Sequence, residues 1–129
     1  MANIHEQPIH LGLGGRAVVE PPFTGKDWYE AYGARHAADG REGRLVSMYR
    51  FEADWDSWEV HPLGDEVVIC IAGEMKLHQE HADGRTETVV LKAGDYAINP
   101  PGTWHTADIA GAATALFITS GEGTEHRPR

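Results

Sequence analysis

The chain has 129 residues, 41% hydrophobic and 24% charged, which suits one folded domain and excludes a disordered or membrane-embedded chain. With 20 acidic against 11 basic residues its formal net charge is -9, a surface that repels phosphate backbones and anionic lipid, so no nucleic-acid or membrane partner is expected. The single cysteine, Cys70, excludes an intrachain disulfide and a thiolate zinc site made by this chain alone, so any metal must sit on histidines and carboxylates.

The opening residues, Met1-Ala2-Asn3-Ile4-His5-Glu6, lack the basic flank and apolar stretch of a secretory signal, and a cytoplasmic location is the expectation. Residues 1–40 read as an irregular arm with one strand at 16–19 and weak helical spacing over 28–38. Residues 41–120 read as a β-sandwich or barrel, because short apolar runs are punctuated by Gly and Pro turns every ten residues or so. Its strands are expected at 45–51, 58–61, 66–71, 74–79, 86–91, 95–98, 103–109 and 112–119. Ala72-Gly73 reads as a turn that folds 74–79 back as a hairpin, and Asp83-Gly84 as a second hairpin turn. Residues 121–129 read as a polar, loosely held tail.

Strand periodicity puts Glu66, Val68 and Cys70 on one face and Val67, Ile69 and Ile71 on the other, so both faces are apolar. The run 112–119 behaves the same way. A sheet open to water would show one polar side, so either the N-terminal arm or a second copy should cover the outer face, and a homodimer is expected.

The informative segment is Trp58-Glu59-Val60-His61-Pro62-Leu63-Gly64-Asp65-Glu66. Glu59 and His61 are two apart on a strand and so share a face, roughly 7 Å apart at the backbone. The Pro-Leu-Gly turn then starts a strand whose first inward residue is Glu66, and His105 follows the rigid Asn99-Pro100-Pro101-Gly102 turn. Carboxylate and imidazole together suit one divalent ion, Fe, Mn, Ni or Zn, without choosing among them.

These residues resemble the two motifs of the cupin superfamily. The first, G-x5-H-x-H-x3,4-E-x6-G, reads here Glu59-x-His61-x4-Glu66-x6-Gly73, and the second, G-x5-P-x-G-x2-H-x3-N, reads Gly94-x5-Pro100-x-Gly102-x2-His105. The resemblance implies a single-domain, all-β cupin fold, the double-stranded β-helix or jelly-roll barrel, with metal on Glu59, His61, Glu66 and His105. Ala53 stands for the opening glycine, Ile109 for the closing asparagine, and Glu59 for the first histidine. That last departure leaves three readings open: Glu59 as ligand, Glu59 as a general base beside the metal, or a site that has lost its ion. The extended Trp-Glu-x-His-Pro-x-Gly-Asp-Glu form, with the tail Gly123 to Pro128, also resembles a bacterial subgroup of small cupins.

Other candidates have plainer readings. Cys70 reads as a small buried hydrophobe, Tyr49 and Phe51 as core, and Trp55, Trp58 and Trp104 as wall packing near the site entrance. His78 and His81 read as exposed, and His5, His10, His36 and His126 as residues of arms or tails. The preferred function is an enzyme acting on a small oxygen-bearing molecule, of dioxygenase or isomerase, epimerase or lyase type, with Glu59 or Glu66 carrying a proton. The alternative is a non-catalytic small-molecule-binding or dimerisation cupin with a degenerate or empty metal site. No phosphate-cradling glycine loop points to a nucleotide.

Overall fold

The computed structural model describes residues 1–129. Its strands are β1 (Ile9–Leu11), β2 (Ala17–Val19), β3 (Arg44–Phe51), β4 (Ser57–Val60), β5 (Glu66–Glu80), β6 (Thr86–Lys92), β7 (Tyr96–Asn99), β8 (Trp104–Thr119) and β9 (Glu125–Pro128), with one helix, α1 (Lys26–Arg35), between β2 and β3. No helix is long and apolar enough to cross a membrane.

Two long strands organise the chain. Residues 66–69 of β5 pair with β7 on one side, and residues 66–73 with the second half of β8 on the other; residues 75–80 pair with β6 and with the first half of β8. β3 flanks the second half of β8 and carries β1 and β2 beyond it; β4 flanks the first half and carries β9. One sheet thus runs β2-β1-β3-β8-β5-β7 and faces another running β9-β4-β8-β5-β6, every pair antiparallel. This is the jelly roll that the resemblance implies.

The expected break at Ala72-Gly73 is not a hairpin. β5 continues through it, with register shifts between Cys70 and Ala72 and between Gly73 and Met75, and so bends from one sheet into the other. The runs 103–109 and 112–119 likewise form one strand, β8. Gly73 sits at φ 76° and packs so tightly that a Cβ there would overlap the carbonyl oxygen of Ala112. Gly73→Ala is therefore expected to destabilise the fold by about 3 kcal/mol, from the left-handed backbone and the overlap together, read as a fall in Tm of roughly 10 °C.

The inner faces bury Val68, Cys70, Met75, Leu77, Leu91, Ala107, Ala113, Ala115 and Phe117. The Cys70 thiol is enclosed there, with the carbonyls of Ala72 and Gly73 at 3.5 and 3.6 Å, and burial pushes its pKa up, as suits a packing residue.

The N-terminal arm is more ordered than expected. β1 and β2 extend the sheet beside β3, and α1 is anchored by buried Trp28, whose indole donates to Pro21 O at 2.9 Å. His10 is fully enclosed, with Tyr32 Oη and Asp39 Oδ2 each 2.6 Å from a ring nitrogen and the His36 ring stacked at 3.6 Å. The polar tail is also tied down: β9 pairs with β4 over four residues, and Arg127 lies against the Trp58 and Trp104 rings while reaching Glu80 at 2.7 Å. His78 and His81 are not free surface groups, since they contact Asp108 and Glu87 at 2.7 and 3.0 Å.

The arm does not cover the outer sheet face. In register across six strands, Val19, Ile9, Val46, Ile118, Val67 and Ile98 form one apolar row, and Met48, Leu116, Ile69 and Tyr96 form the next. Val19, Tyr96 and Ile98 are exposed.

Candidate metal centre

The site lies where the two sheets meet at one end of the barrel. Glu59 on β4 pairs across to His105 on β8, and His61 follows as β4 ends; Glu66 opens β5. All four sequence candidates come together. His61 Nε2 lies 3.1 Å from Glu66 Oε2 and His105 Nε2 lies 3.0 Å from Glu66 Oε1; Glu59 Oε2 is 3.9 and 3.7 Å from the same two nitrogens. His61, Glu66 and His105 are buried, and Glu59 is partly open to the cavity.

Neighbouring groups set the tautomer that each imidazole adopts when neutral. Thr124 donates its hydroxyl proton to Gly121 O at 2.7 Å, so at 2.7 Å from His61 Nδ1 it can only accept. His105 Nδ1 faces Thr103 O at 3.2 Å, and a carbonyl also only accepts. Each neutral ring therefore carries its proton on Nδ1 and presents an Nε2 lone pair to the centre. These two Nε2 atoms are buried and make no hydrogen bond, because the nearby Glu66 oxygens lie off the ring N–H direction. Orphaned ring nitrogens at the focus of carboxylates fit a metal ion. Glu59, His61 and His105 offer ligand atoms all within 4.8 Å of one another.

Glu66 is held differently. The inner-face row Leu45, Thr119, Glu66, Asn99 is in cross-strand register, and both of its polar neighbours donate to the carboxylate. Asn99 Nδ2 donates to Oε1 at 3.1 Å and Thr119 Oγ1 to Oε2 at 2.7 Å, while Gln79 fixes the Asn99 amide through its Oδ1 at 2.8 Å. Burial works against ionisation of Glu66, but His105 and His61 outweigh it and hold its carboxyl far below the usual range. Burial opposes Glu59 ionisation too, and contact with His105, then His61, again brings the carboxyl down. For His105, burial disfavours the charge, but Glu59 and Glu66 dominate and raise its pKa to about 10.

Thr119, Asn99, Gln79 and Thr124 were not legible as site residues. Asn99 reads as part of a Pro-Pro turn and Thr124 as part of a polar tail. His126, also in that tail, reaches Glu59 Oε1 at 3.2 Å. Thr124→Val, which removes the acceptor that fixes the His61 tautomer, is expected to weaken metal affinity by about 10- to 100-fold with little change in fold, measured by competition with a chelator of known affinity.

A cavity of about 930 Å³ opens from Glu59, His61 and Glu66 toward α1. Trp55 lines it, whereas Trp58 and Trp104 flank Arg127 as wall packing.

The cupin domain model matches residues 48–121, more than half of the chain. The chain belongs to the cupin family. No curated protein matches this cupin in sequence. Among solved structures it is similar to hydroquinone 1,2-dioxygenase from Sphingomonas sp. TTNP3 with 4-hydroxybenzoate bound, at 20% identity and TM-score 0.52 over 59% of each chain. It is similar to oxalate oxidase in complex with the substrate analogue glycolate, at 17% identity and TM-score 0.59, over 72% of this cupin and 50% of that chain. A protein with a double-stranded β-helix domain from Klebsiella pneumoniae shares 25% identity at TM-score 0.54, over 67% of this cupin and 76% of that chain. The cupin spans about three-fifths of the dioxygenase chain and half of the oxalate oxidase chain, so these likenesses support the fold.

Proposed function

We propose that this cupin is an enzyme acting on a small oxygen-bearing molecule at one divalent ion, Fe, Mn, Ni or Zn, held by Glu59, His61, Glu66 and His105. The observation that carries this reading is the pair of buried, unpartnered Nε2 atoms whose tautomers are fixed from behind by Thr124 and Thr103. A bound ion would polarise a substrate oxygen or, if redox-active, support oxygen chemistry. The chain's own groups divide the remaining work. Glu66, with both oxygens in hydrogen bonds, is a fixed anchor and counter-charge. Glu59 faces the cavity, hydrogen-bonded to the exposed His126, and is ionised at neutral pH, so where it does not serve as the fourth ligand it is the group placed to take a proton beside the ion.

Elemental analysis of untagged protein purified without chelators tests the reading. Near-stoichiometric iron would direct assays to oxygen-dependent turnover; manganese, nickel or zinc would direct them to isomerase, epimerase or lyase chemistry. One arrangement favours the alternative, a non-catalytic binding cupin: His105 Nε2 lies 3.7 and 3.0 Å from Glu59 and Glu66, so a proton on that ring would offset part of the cluster's charge without an ion. No metal, even after incubation with each ion, would select it.

The apolar rows on the outer sheet, half-buried except for exposed Val19, Tyr96 and Ile98, support a homodimer formed through that face. Sedimentation as a monomer at micromolar concentration would reject it.

A further inference from the structure

We infer that Tyr29 and Tyr49 form a second oxygen-binding point in the cavity, and that the ligand is an uncharged aromatic molecule carrying one oxygen for this pair and another for the metal centre. The inference rests on the metal reading for one of its two ends only. Tyr29 comes from α1, outside the segment that matches the cupin domain model, and its hydroxyl lies 2.6 Å from that of Tyr49 on β3. One phenolic proton is used within the pair and the other is left to donate to a ligand oxygen, with Ser47 next along the same face of β3. Both hydroxyls stay protonated well above neutral pH: burial raises each, and for Tyr29 the neighbouring phenol and the carboxylates of Glu59 and Glu66 add to it.

A continuous aromatic wall joins this pair to the metal centre. Tyr49 and Phe117 have ring centroids 6.1 Å apart, Phe117 and Trp55 6.0 Å, and Trp55 and His105 6.2 Å, with Phe51 packed against Tyr49, Phe117 and Trp55. A flat ring lies well on such a surface. The charge around the cavity argues against an anion. No arginine lines it and Lys26 is its one lysine, while Asp27, Glu30, Asp54, Asp56 and Glu122 stand exposed around the opening. A divalent ion facing two carboxylates, Glu59 and Glu66, would have no net charge left to hold a small dianion.

The test compares hydroquinone, phenol and oxalate by calorimetry on the zinc-loaded protein, without oxygen, so that binding is read apart from turnover. The second hydroxyl of hydroquinone should tighten binding about tenfold over phenol, the value of one well-placed hydrogen bond, and oxalate should bind more weakly than either. Tyr29→Phe and Tyr49→Phe should each bring the hydroquinone preference below about threefold while phenol affinity and zinc content stay unchanged. Retention of the preference in both variants, or oxalate binding as tightly as hydroquinone, would overturn the inference. The same comparison on chelated protein separates the two claims. A tyrosine-dependent preference there upholds the phenol pair even if the chain takes up no metal, and its absence in both forms of the wild-type protein defeats it.

Discussion

Replacing His61 and His105 together by alanine is expected to strip the protein of metal while leaving its β-sheet spectrum in place. Each ring supplies a buried Nε2 atom that makes no hydrogen bond in the fold, so the loss falls mainly on the ion. Affinity should drop by more than about 100-fold, beyond what loss of a supporting hydrogen bond does to such sites. The barrel should survive because Glu66 keeps both of its donors, Asn99 and Thr119, and the apolar core is contributed by other residues. Elemental analysis and circular dichroism on the same sample read both outcomes, and stoichiometric metal in the double variant would remove His61 and His105 from the ligand set. Glu59→Gln sharpens the assignment. Retained metal with turnover reduced by about 10²- to 10⁴-fold would make Glu59 the base, and lost metal would make it a ligand.

Much of the barrel was legible because its signals are local. The strands 45–51, 86–91 and 95–98 and the Asp83-Gly84 hairpin need only β-forming runs and turn residues, and β3, β6 and β7 fall there within a residue or two. Gly73 is ambiguous in the sequence. A glycine between two apolar runs reads equally as a turn or as a bulge, and only the approach of Ala112 from the neighbouring strand decides for the bulge. The order of the arm is hidden for a related reason: β1 is three residues long and is defined by its partner β3, which lies 35 or so positions away.

The site divides along the same line. Glu59, His61 and Glu66 sit close in sequence at strand spacing, and His105 lies on a motif of fixed length, so the structure brings together the four residues that the sequence singles out. The residues that orient them act across the sheet. Thr119 and Asn99 meet Glu66 only through the register of β5 with β8 and β7, and Thr124 reaches His61 from 63 positions away. Tyr29 is not legible as a site residue because it lies on a helix with weak amphipathic spacing, where a tyrosine reads as ordinary surface.

Metal affinity and the stability of the metal-free protein are expected to move in opposite directions as pH rises. In the metal-free fold the His105 pKa is raised from 6.5 to about 10, because Glu59 and Glu66 outweigh burial. The proton held there stabilises the fold fully below pH 6.5, and that contribution is lost as pH rises through about 10. Glu66 has the opposite sign, since its carboxyl is depressed: its contribution is present above 4.5 and is lost only in strong acid. The Tm of chelated protein should therefore fall from pH 7 to pH 9. Over the same interval an ion must displace the His105 proton, so affinity should climb about tenfold per pH unit, with close to one proton released per ion after correction for buffer ionisation. Glu59→Gln removes one of the two carboxylates that hold this proton and should flatten both slopes. Calorimetry in two buffers of different ionisation enthalpy measures the proton count directly. Affinity independent of pH between 7 and 9 would mean that His105 is already neutral in the metal-free protein, and the balance drawn between burial and the two carboxylates would be wrong.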